Sequence, residues 1–227
     1  MGKFIGKKVL WTIVSLIVLA ILLGTIFYFA ENKSDPVLTE LAKPVIYLYP
    51  ETETDVQVRL NLDGQLSFTY PAYDGGWKVT AYPDGKLINH SDGNEYSYLF
   101  WEGNGNVVFD MNSGFVVAGC DTVDFLREKL SFMGLLPSEY NEFITYWAPK
   151  MQPNAYNLIA FQKETYTDMA DLEILPAPDS MLRIFMAYSP LLIPIDVPQQ
   201  QLETFERTGF TVIEWGGTVC RPQEVRD

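Results

Sequence analysis

The longest uncharged stretch of the chain lies near its N-terminus. Residues 9–30 form 22 consecutive positions without a charged side chain, and most of these positions are aliphatic or aromatic. Because a helix rises about 1.5 Å per residue, the stretch would be about 33 Å long, which matches the hydrocarbon core of a bilayer. The pattern predicts a transmembrane helix over residues 9–30, with the lipid bilayer as its partner.

Charges flank this stretch unequally. Residues 1–8 contain three lysines and no acid, whereas Glu31 and Asp35 follow the stretch. Lysine-rich flanks stay on the cytoplasmic side, so we expect residues 1–8 to form a cytoplasmic tail and the rest of the chain to be exported. A cleavable signal peptide is the alternative, but its apolar region has only about 7 to 15 residues, and Tyr28-Phe29-Ala30 is a poor cleavage site. An uncleaved anchor is therefore the favoured interpretation.

Strand-like patterns follow a spacer predicted over residues 31–42. Residues 45–49 are β-branched, aromatic or Leu, which predicts a strand buried on both faces or lying at an edge. Residues 56–62 alternate apolar and polar side chains, as a half-buried strand does. The alternation resumes over residues 66–70 after Asp63-Gly64, so the sequence predicts a β-hairpin there.

Further short apolar runs, separated by turn residues, complete the first half of the chain. They predict strands at residues 77–81, 87–88, 96–101, 107–111 and 115–118. Consecutive short strands of this kind are typical of a β-meander. We therefore expect residues 43–120 to form a β-rich half.

The apolar period changes to that of helices in the second half. Asp121 or Thr122 can cap a helix that ends at Gly134, and Ser138 can cap a second helix that ends at Pro149. A short helix is expected after Pro198. Strands are predicted at residues 156–161, 172–175, 181–187 and 210–215. The fold class is thus α+β: a transmembrane helix, a β-rich meander, and a helix-containing α+β half over residues 121–220 that forms one compact extracytoplasmic domain with residues 43–120.

Charge and composition exclude several functions. The 227-residue chain has a net charge of −13, and residues 31–227, with 13 basic and 29 acidic side chains, have a net charge of −16. Such a domain cannot neutralise phosphates, so nucleic acid is excluded as a partner, and neutral or cationic partners are favoured. With one His and two Cys, the chain lacks the ligands of most zinc sites. The sequence predicts neither a metal nor a cofactor.

The two cysteines are 100 positions apart, and export would permit their oxidation. Cys120 ends an apolar run and Cys220 follows the last predicted strand, so we expect a disulfide between them. In the chain-entropy model a loop of this length would contribute about 4.7 kcal/mol. The alternative is two separate buried thiols.

Four segments have distinctive sequences. They are Lys-Pro-Val-Ile-Tyr-Leu-Tyr-Pro at 43–50, Tyr-Leu-Phe-Trp-Glu-Gly at 98–103, Asn-Glu-Phe-Ile-Thr-Tyr-Trp at 141–147 and Gly-Phe-Thr-Val-Ile-Glu-Trp-Gly-Gly at 209–217. In these segments the chain resembles an uncharacterised family of bacterial membrane-anchored or secreted proteins. The resemblance covers nearly all of residues 43–217. It implies a membrane-anchored or secreted protein, and it assigns no catalytic residue.

Two glutamates form the strongest candidate for catalysis. Glu102 and Glu214 each adjoin a tryptophan, Trp101 or Trp215, and precede glycines at the end of a predicted strand. Two carboxylates about 5 to 5.5 Å apart can perform retaining glycoside hydrolysis, and a wider separation suits inversion. The alternative interpretation is structural, because Glu, Trp and Gly are common where a strand meets a turn. The single His90 lies in a turn-rich segment and carries little inference.

Aromatic side chains suggest binding instead. Tyr98, Trp101 and Trp215 are the candidate binding residues, since exposed rings around Tyr98 would form a stacking surface for glycans or peptide segments. The leading hypothesis is a membrane-anchored binding or scaffolding module of the cell envelope, with an envelope glycan or protein as its partner. A glycan hydrolase acting through Glu102 and Glu214 is the second hypothesis. A subunit of an export or envelope-sensing complex is the third.

Overall fold

A computed structural model describes residues 38–220 of the chain. The predicted cytoplasmic tail, the predicted transmembrane helix and residues 31–37 of the predicted spacer lie outside these residues. In the part of the chain that is described, no helix is long and apolar enough to cross a membrane. Residues 39–42 of the predicted spacer belong to the first strand.

Within residues 38–220, twelve strands and three α-helices make a mixed, sheet-rich α+β fold, which confirms the α+β part of the predicted class. Their bounds in chain order are β1 (Thr39–Tyr49), β2 (Thr54–Leu62), β3 (Gly64–Tyr70), β4 (Trp77–Ala81), β5 (Leu87–Asn89), β6 (Glu95–Tyr96), β7 (Leu99–Gly105), β8 (Phe115–Ala118), α1 (Thr122–Met133), α2 (Pro137–Met151), β9 (Tyr156–Gln162), α3 (Glu164–Met169), β10 (Ala170–Leu175), β11 (Ser180–Leu191) and β12 (Thr211–Val219).

The strands form two sheets. A seven-stranded sheet has the order β3-β7-β1-β12-β11-β9-β8, and a five-stranded sheet has the order β10-β2-β4-β5-β6. All pairs are antiparallel except β11 with β12, which run parallel. The meander predicted for residues 43–120 is therefore wrong, because β1 pairs with β7 and β12 rather than with β2.

The seven-stranded sheet is covered on both faces except at β3 and β7, where the helices do not reach. In β1, Ile46 and Leu48 point into a core shared with Val56 and Val58 of the five-stranded sheet. The alternate residues Val45 and Tyr47 point into a second core, formed with α1 and α2. Strands that are buried on both faces have near-continuous apolar sequences, whereas strands with one solvated face alternate. This difference explains the apolar run in β1 and the alternation in β2.

The predicted hairpin at Asp63-Gly64 is wrong. β2 pairs with β4 and β10, while β3 pairs with β7 in the other sheet, so these two residues carry the chain from one sheet to the other. The Asp63 amide donates to the carbonyl of Met169 at 2.8 Å. A Cβ atom at Gly64 would lie 2.0 Å from the Asn104 carbonyl oxygen, so the crossing requires glycine.

Three other predicted elements differ from the structure. The predicted strand over residues 107–111 is irregular chain, although Phe109 and Met111 are buried. Helix α2 begins at Pro137, not at a Ser138 cap, and continues through Pro149 to Met151. Pro149 is exposed in the last turn of the helix, where the loss of one hydrogen bond is tolerated. The chain after Pro198 forms no helix.

Irregular chain over residues 192–210 makes the crossover between the parallel strands β11 and β12. Leu202 and Phe205 pack on the helix-side core, so the apolar positions behind the predicted helix are correctly placed although the helix is not formed. The amide group of Gln200 accepts from the Phe161 backbone N–H at 2.8 Å and donates to its carbonyl at 2.7 Å. These side-chain bonds to the backbone replace the bonds that a neighbouring strand would make.

The cysteines do not form the predicted disulfide. Cys120 is exposed in a short 3₁₀ turn, Gly119–Asp121. Cys220 is buried just after β12, where its amide donates to the Tyr188 carbonyl at 2.7 Å.

Two tyrosines of β1 lie under the helix layer. The Tyr47 hydroxyl donates to Glu142 Oε2 of α2 at 3.0 Å. Burial, followed by the negative charge of Glu142, raises the pKa of Tyr47. Burial and the charge of Glu139 likewise raise the pKa of Tyr49. Both phenols are therefore held in the neutral form by the folded structure.

We expect the free energy of unfolding to fall as the pH rises above about 10, where tyrosines of the unfolded chain ionise but Tyr47 and Tyr49 of the folded chain do not. Each tyrosine should contribute a loss on the order of 1 kcal/mol per pH unit. Urea unfolding of the full chain in detergent between about pH 9 and 11 measures this slope. The Tyr47→Phe/Tyr49→Phe variant should have a shallower slope, and an unchanged slope would contradict the assignment.

Candidate functional site

Glu214 lies in the core between the two sheets and has no exposed surface. One carboxylate oxygen, Oε2, accepts from Arg183 Nε at 2.6 Å, and the other, Oε1, accepts from Trp101 Nε1 at 3.2 Å. A buried carboxylate is tolerated when a charged partner and hydrogen bonds replace its hydration. Both oxygens of Glu214 are thus occupied by structural contacts.

Arg183 extends this contact toward the five-stranded sheet. Its guanidinium donates through Nη2 to the carbonyl of Ala170, the first residue of β10, and lies 4.9 Å from the centre of the Tyr166 ring. Burial lowers the pKa of Arg183, but the charge of Glu214, the neighbouring Tyr166 and the hydrogen bonds to both together outweigh burial and raise that pKa. Burial and the charge of Glu214 raise the pKa of Tyr166 well above its usual value. Arg183 therefore remains charged, and Tyr166 remains neutral beside it.

Glu102 lies on the opposite face of the same sheet. Along β7, Leu99 and Trp101 point into the core between the sheets, so Phe100 and Glu102 point toward the helix side. Consistently, burial raises the pKa of Tyr146 of α2, and the charge of Glu102 adds to that shift. Glu102 and Glu214 therefore do not share a cleft, and they do not form the carboxylate pair of a glycoside hydrolase.

The two predicted tryptophan platforms are core residues. Trp101 and Trp215 are both fully buried. Trp101 donates to Glu214, and Trp215 packs against Phe143 with ring centres 5.2 Å apart. Neither indole presents a face to a ligand, so the structural interpretation of these residues is correct.

Tyr98 is the predicted binding residue that does reach the surface. It is half-buried, together with Phe100, at the margin of the helix-side core. On the neighbouring strand β3, Phe68 and Tyr70 are 55% and 56% exposed. Tyr70 pairs with Phe100 across the strands, and the Phe68 ring lies 5.8 Å from the Phe100 ring. We call Phe68, Tyr70, Tyr98 and Phe100 the aromatic surface.

Lys43 adds a cation to the aromatic surface. Its ammonium lies 5.1 Å from the centre of the Tyr98 ring and 5.0 Å from that of Phe100, within the range of cation–π attraction. Lys43 occupies a bulge in β1 and has a φ of 60°, a left-handed conformation that non-glycine residues seldom adopt. Such strained positions are characteristic of functional sites. Sequence reasoning missed this residue, because nothing in Lys43-Pro44 marks a left-handed lysine.

The strand that contributes Phe68 and Tyr70 is an edge. Among residues 38–220, no strand pairs with the outer side of β3. Its sequence, Gly-Gln-Leu-Ser-Phe-Thr-Tyr, has no charged residue, although edge strands are commonly protected by lysines or other charges. The only common protection it carries is a bulge between Leu66 and Phe68. An extended chain can therefore hydrogen-bond to β3 and lay side chains on the aromatic surface.

The single histidine does not form a catalytic arrangement. His90 is exposed, and its Nε2 lies 2.9 Å from the Thr80 hydroxyl and 3.4 Å from Asp55 Oδ1. Both contacts involve the same nitrogen, whereas a general base needs one nitrogen for the nucleophile and the other for an orienting group. In the described part of the chain, no group of three or more His, Cys, Asp or Glu side chains is placed to hold a metal ion.

Comparison of the chain with protein-family models, with curated proteins and with solved structures gives no match. The functional inference therefore rests on the geometry described above.

We predict that Glu214→Ala lowers the free energy of unfolding by about 3 to 5 kcal/mol, because it leaves the charge of Arg183 buried without a partner. Glu102→Ala is the matched control on the other face of the sheet and should cost less than about 1 kcal/mol. Urea unfolding of the full chain in detergent compares the two variants. Equal losses would contradict the structural role of Glu214.

We predict that Lys43→Gly is more stable than Lys43→Ala by about 1 kcal/mol. Both variants remove the ammonium from the aromatic surface, but only glycine also relieves the left-handed strain. Thermal unfolding of the two variants measures the difference. If alanine were equally stable, the backbone of β1 would not require the left-handed conformation at this position.

Proposed function

We propose that the chain is a membrane-anchored, extracytoplasmic binding module that takes up an extended segment of another envelope protein. The ligand would add a strand to β3 and place side chains on the aromatic surface. The observation that carries this proposal is the edge strand β3 itself, which is uncharged and has two aromatic side chains more than half exposed. Strand addition to an open sheet edge is a common mode of peptide recognition.

The surroundings of the aromatic surface favour this ligand. Exposed aromatic residues are enriched in the centres of protein interfaces, and a contiguous exposed apolar patch marks an interaction site. Because the net charge of residues 31–227 is −16, a cationic segment would be attracted, a neutral one tolerated and an acidic one repelled. Lys43 supplies one local positive charge, which can receive a carboxylate or carbonyl group of the ligand.

The membrane-anchored part of the proposal rests on the sequence alone. The uncharged stretch over residues 9–30 and the lysines that precede it support a cytoplasmic N-terminus and an exported domain.

An envelope glycan is the second candidate ligand. The observation in its favour is the row of rings formed by Phe68, Phe100 and Tyr98, since sugars stack on exposed aromatic faces. A glycan would stack on the rings but would not pair with β3. A substitution on the edge of β3 should therefore weaken binding of a peptide but not of a glycan, which distinguishes the two ligands.

The first experiment places a photo-cross-linking amino acid at Tyr70 of the full chain in cells. We expect an adduct with a partner protein at this position and none at Phe132, a matched control that is 51% exposed on α1. Ser67→Lys introduces a charge on the open edge, which should reduce the adduct about tenfold or more, because charged side chains on an edge strand block its pairing. Gln57→Lys introduces the same charge on β2, which has a neighbour on each side, and should change nothing.

Sedimentation of the purified full chain with insoluble envelope glycan tests the second ligand. Co-sedimentation that survives Ser67→Lys but is lost in Phe100→Ala would assign the aromatic surface to glycan and contradict the peptide proposal. An adduct of equal yield at Tyr70 and Phe132, unaffected by Ser67→Lys, would also contradict it.

A further inference from the structure

Four neighbouring strands of the seven-stranded sheet meet the surface at one end. Thr39 begins β1 opposite Gly105, which ends β7. On the other side of β1, β12 ends at Val219, and Val219 lies beside Tyr188 near the end of β11. The start of β1 and the ends of β7, β12 and β11 are thus consecutive along one end of the sheet.

Exposed apolar side chains are concentrated at this end. We call them the apolar rim; with their exposed fractions they are Leu38 (48%), Val108 (78%), Leu192 (91%), Ile193 (70%) and Val219 (50%). Leu192 and Ile193 directly follow β11 and belong to the uncharged segment 190–195. On an otherwise acidic domain, a cluster of this kind indicates a surface that is covered in the working protein.

The path of the chain indicates what covers the apolar rim. Only seven residues, 31–37, separate the end of the predicted transmembrane stretch from Leu38. Since a fully extended chain spans about 3.3 to 3.6 Å per residue, Leu38 cannot lie more than about 25 Å beyond the end of that stretch. With residues 9–30 in the bilayer, as the proposed function has it, the chain would tether this end of the sheet within that distance of the membrane.

We propose that the apolar rim docks onto the lipid bilayer, with Leu192 and Ile193 entering the interface between headgroups and acyl chains. This proposal rests on the membrane-anchored part of the proposed function and is independent of the ligand of the aromatic surface. The exposed charged residues near the rim include the acidic side chains Glu40, Asp63 and Asp110, which do not attract lipid headgroups of negative charge. The contact with the bilayer is therefore apolar rather than electrostatic. A neutral lipid surface is consequently the partner that the rim fits, and anionic headgroups would repel it.

The test measures the depth of a nitroxide attached to the full chain in phosphatidylcholine vesicles. The label is placed at Ile193→Cys, and in the control at Leu175→Cys, which is 64% exposed at the end of β10. Both variants also carry Cys120→Ser, so that the exposed native cysteine is not labelled. The variant with Cys120→Ser alone is the control for any labelling of the buried Cys220. Oxygen concentrates in lipid, whereas a nickel complex stays in water, so the ratio of nitroxide collisions with oxygen to collisions with nickel reports depth in the bilayer. We expect this ratio to be severalfold higher at residue 193 than at residue 175.

Four results would overturn the proposal, each in a different way. A label at residue 193 that is as accessible to nickel as the label at residue 175 would place the rim in water. A label shielded from both oxygen and nickel would place it against protein, either a second copy or a partner. A label at residue 175 with the same high oxygen ratio would make the contact non-specific. Release of the chain from the vesicles by an alkaline wash would refute the anchor as well, while leaving the cross-linking at Tyr70 to be judged separately.

Discussion

The buried ion pair between Glu214 and Arg183 joins β12 to its parallel neighbour β11, and the rest of the core between the sheets packs around it. Glu214 belongs to β12 and Arg183 to the parallel neighbour β11, and Trp101 of β7 donates to the same carboxylate. Arg183 also donates to the carbonyl of Ala170, where the five-stranded sheet begins its strand β10. Because a buried carboxylate must keep its charged partner, this pair disfavours any other register of β11 on β12, and the Arg183–Ala170 hydrogen bond ties that register to the second sheet.

With that alignment set, the helix layer decides which part of the sheet remains open. α1 and α2 pack over β8, β9, β11, β12 and the apolar half of β1. β7 and β3 lie beyond this cover, so Phe100 is only half-buried and Phe68 is exposed. The aromatic surface is therefore a consequence of a seven-stranded sheet that is wider than its two helices, rather than a cavity within the core.

Much of the fold could be predicted from local pattern. The apolar run of β1, the alternation of β2 and the helical stripes of α1 and α2 each follow from the number of faces that an element buries. Pairing partners could not be predicted, because alternation in β3 is the same whether its neighbour is β2 or β7. Asp63-Gly64 suits a corner between sheets as well as a hairpin. Likewise, Leu202 and Phe205 have helical spacing, but the segment forms no helix, and the Gln200 side chain just before it bonds to the Phe161 backbone instead.

The same limit applies to the candidate site. The sequence marks Glu214 but leaves both a catalytic and a structural role open, because tryptophan occurs beside glutamate in binding sites and in cores alike. A usable signal was present: one charged residue interrupts each of two apolar strands, Glu214 in β12 and Arg183 in β11. Opposite charges that interrupt buried strands in this way must pair. By contrast, the left-handed Lys43 and the open edge of β3 depend on tertiary structure and had no sequence signal.

The apolar rim and the aromatic surface lie at different places along the same strands. β3 begins at Gly64 beside Gly105, at the end of the sheet that carries the rim, and Tyr70 lies at its other end. A strand rises about 3.3 Å per residue, so the seven residues of β3 separate the two ends by about 20 Å. If the rim contacts lipid, the sheet holds Tyr70 about 20 Å above the membrane, and the outer edge of β3 stays accessible. The sheet is thus a suitable spacer between a bilayer contact and a binding edge. This arrangement explains why the apolar rim and the aromatic surface lie at opposite ends of the sheet.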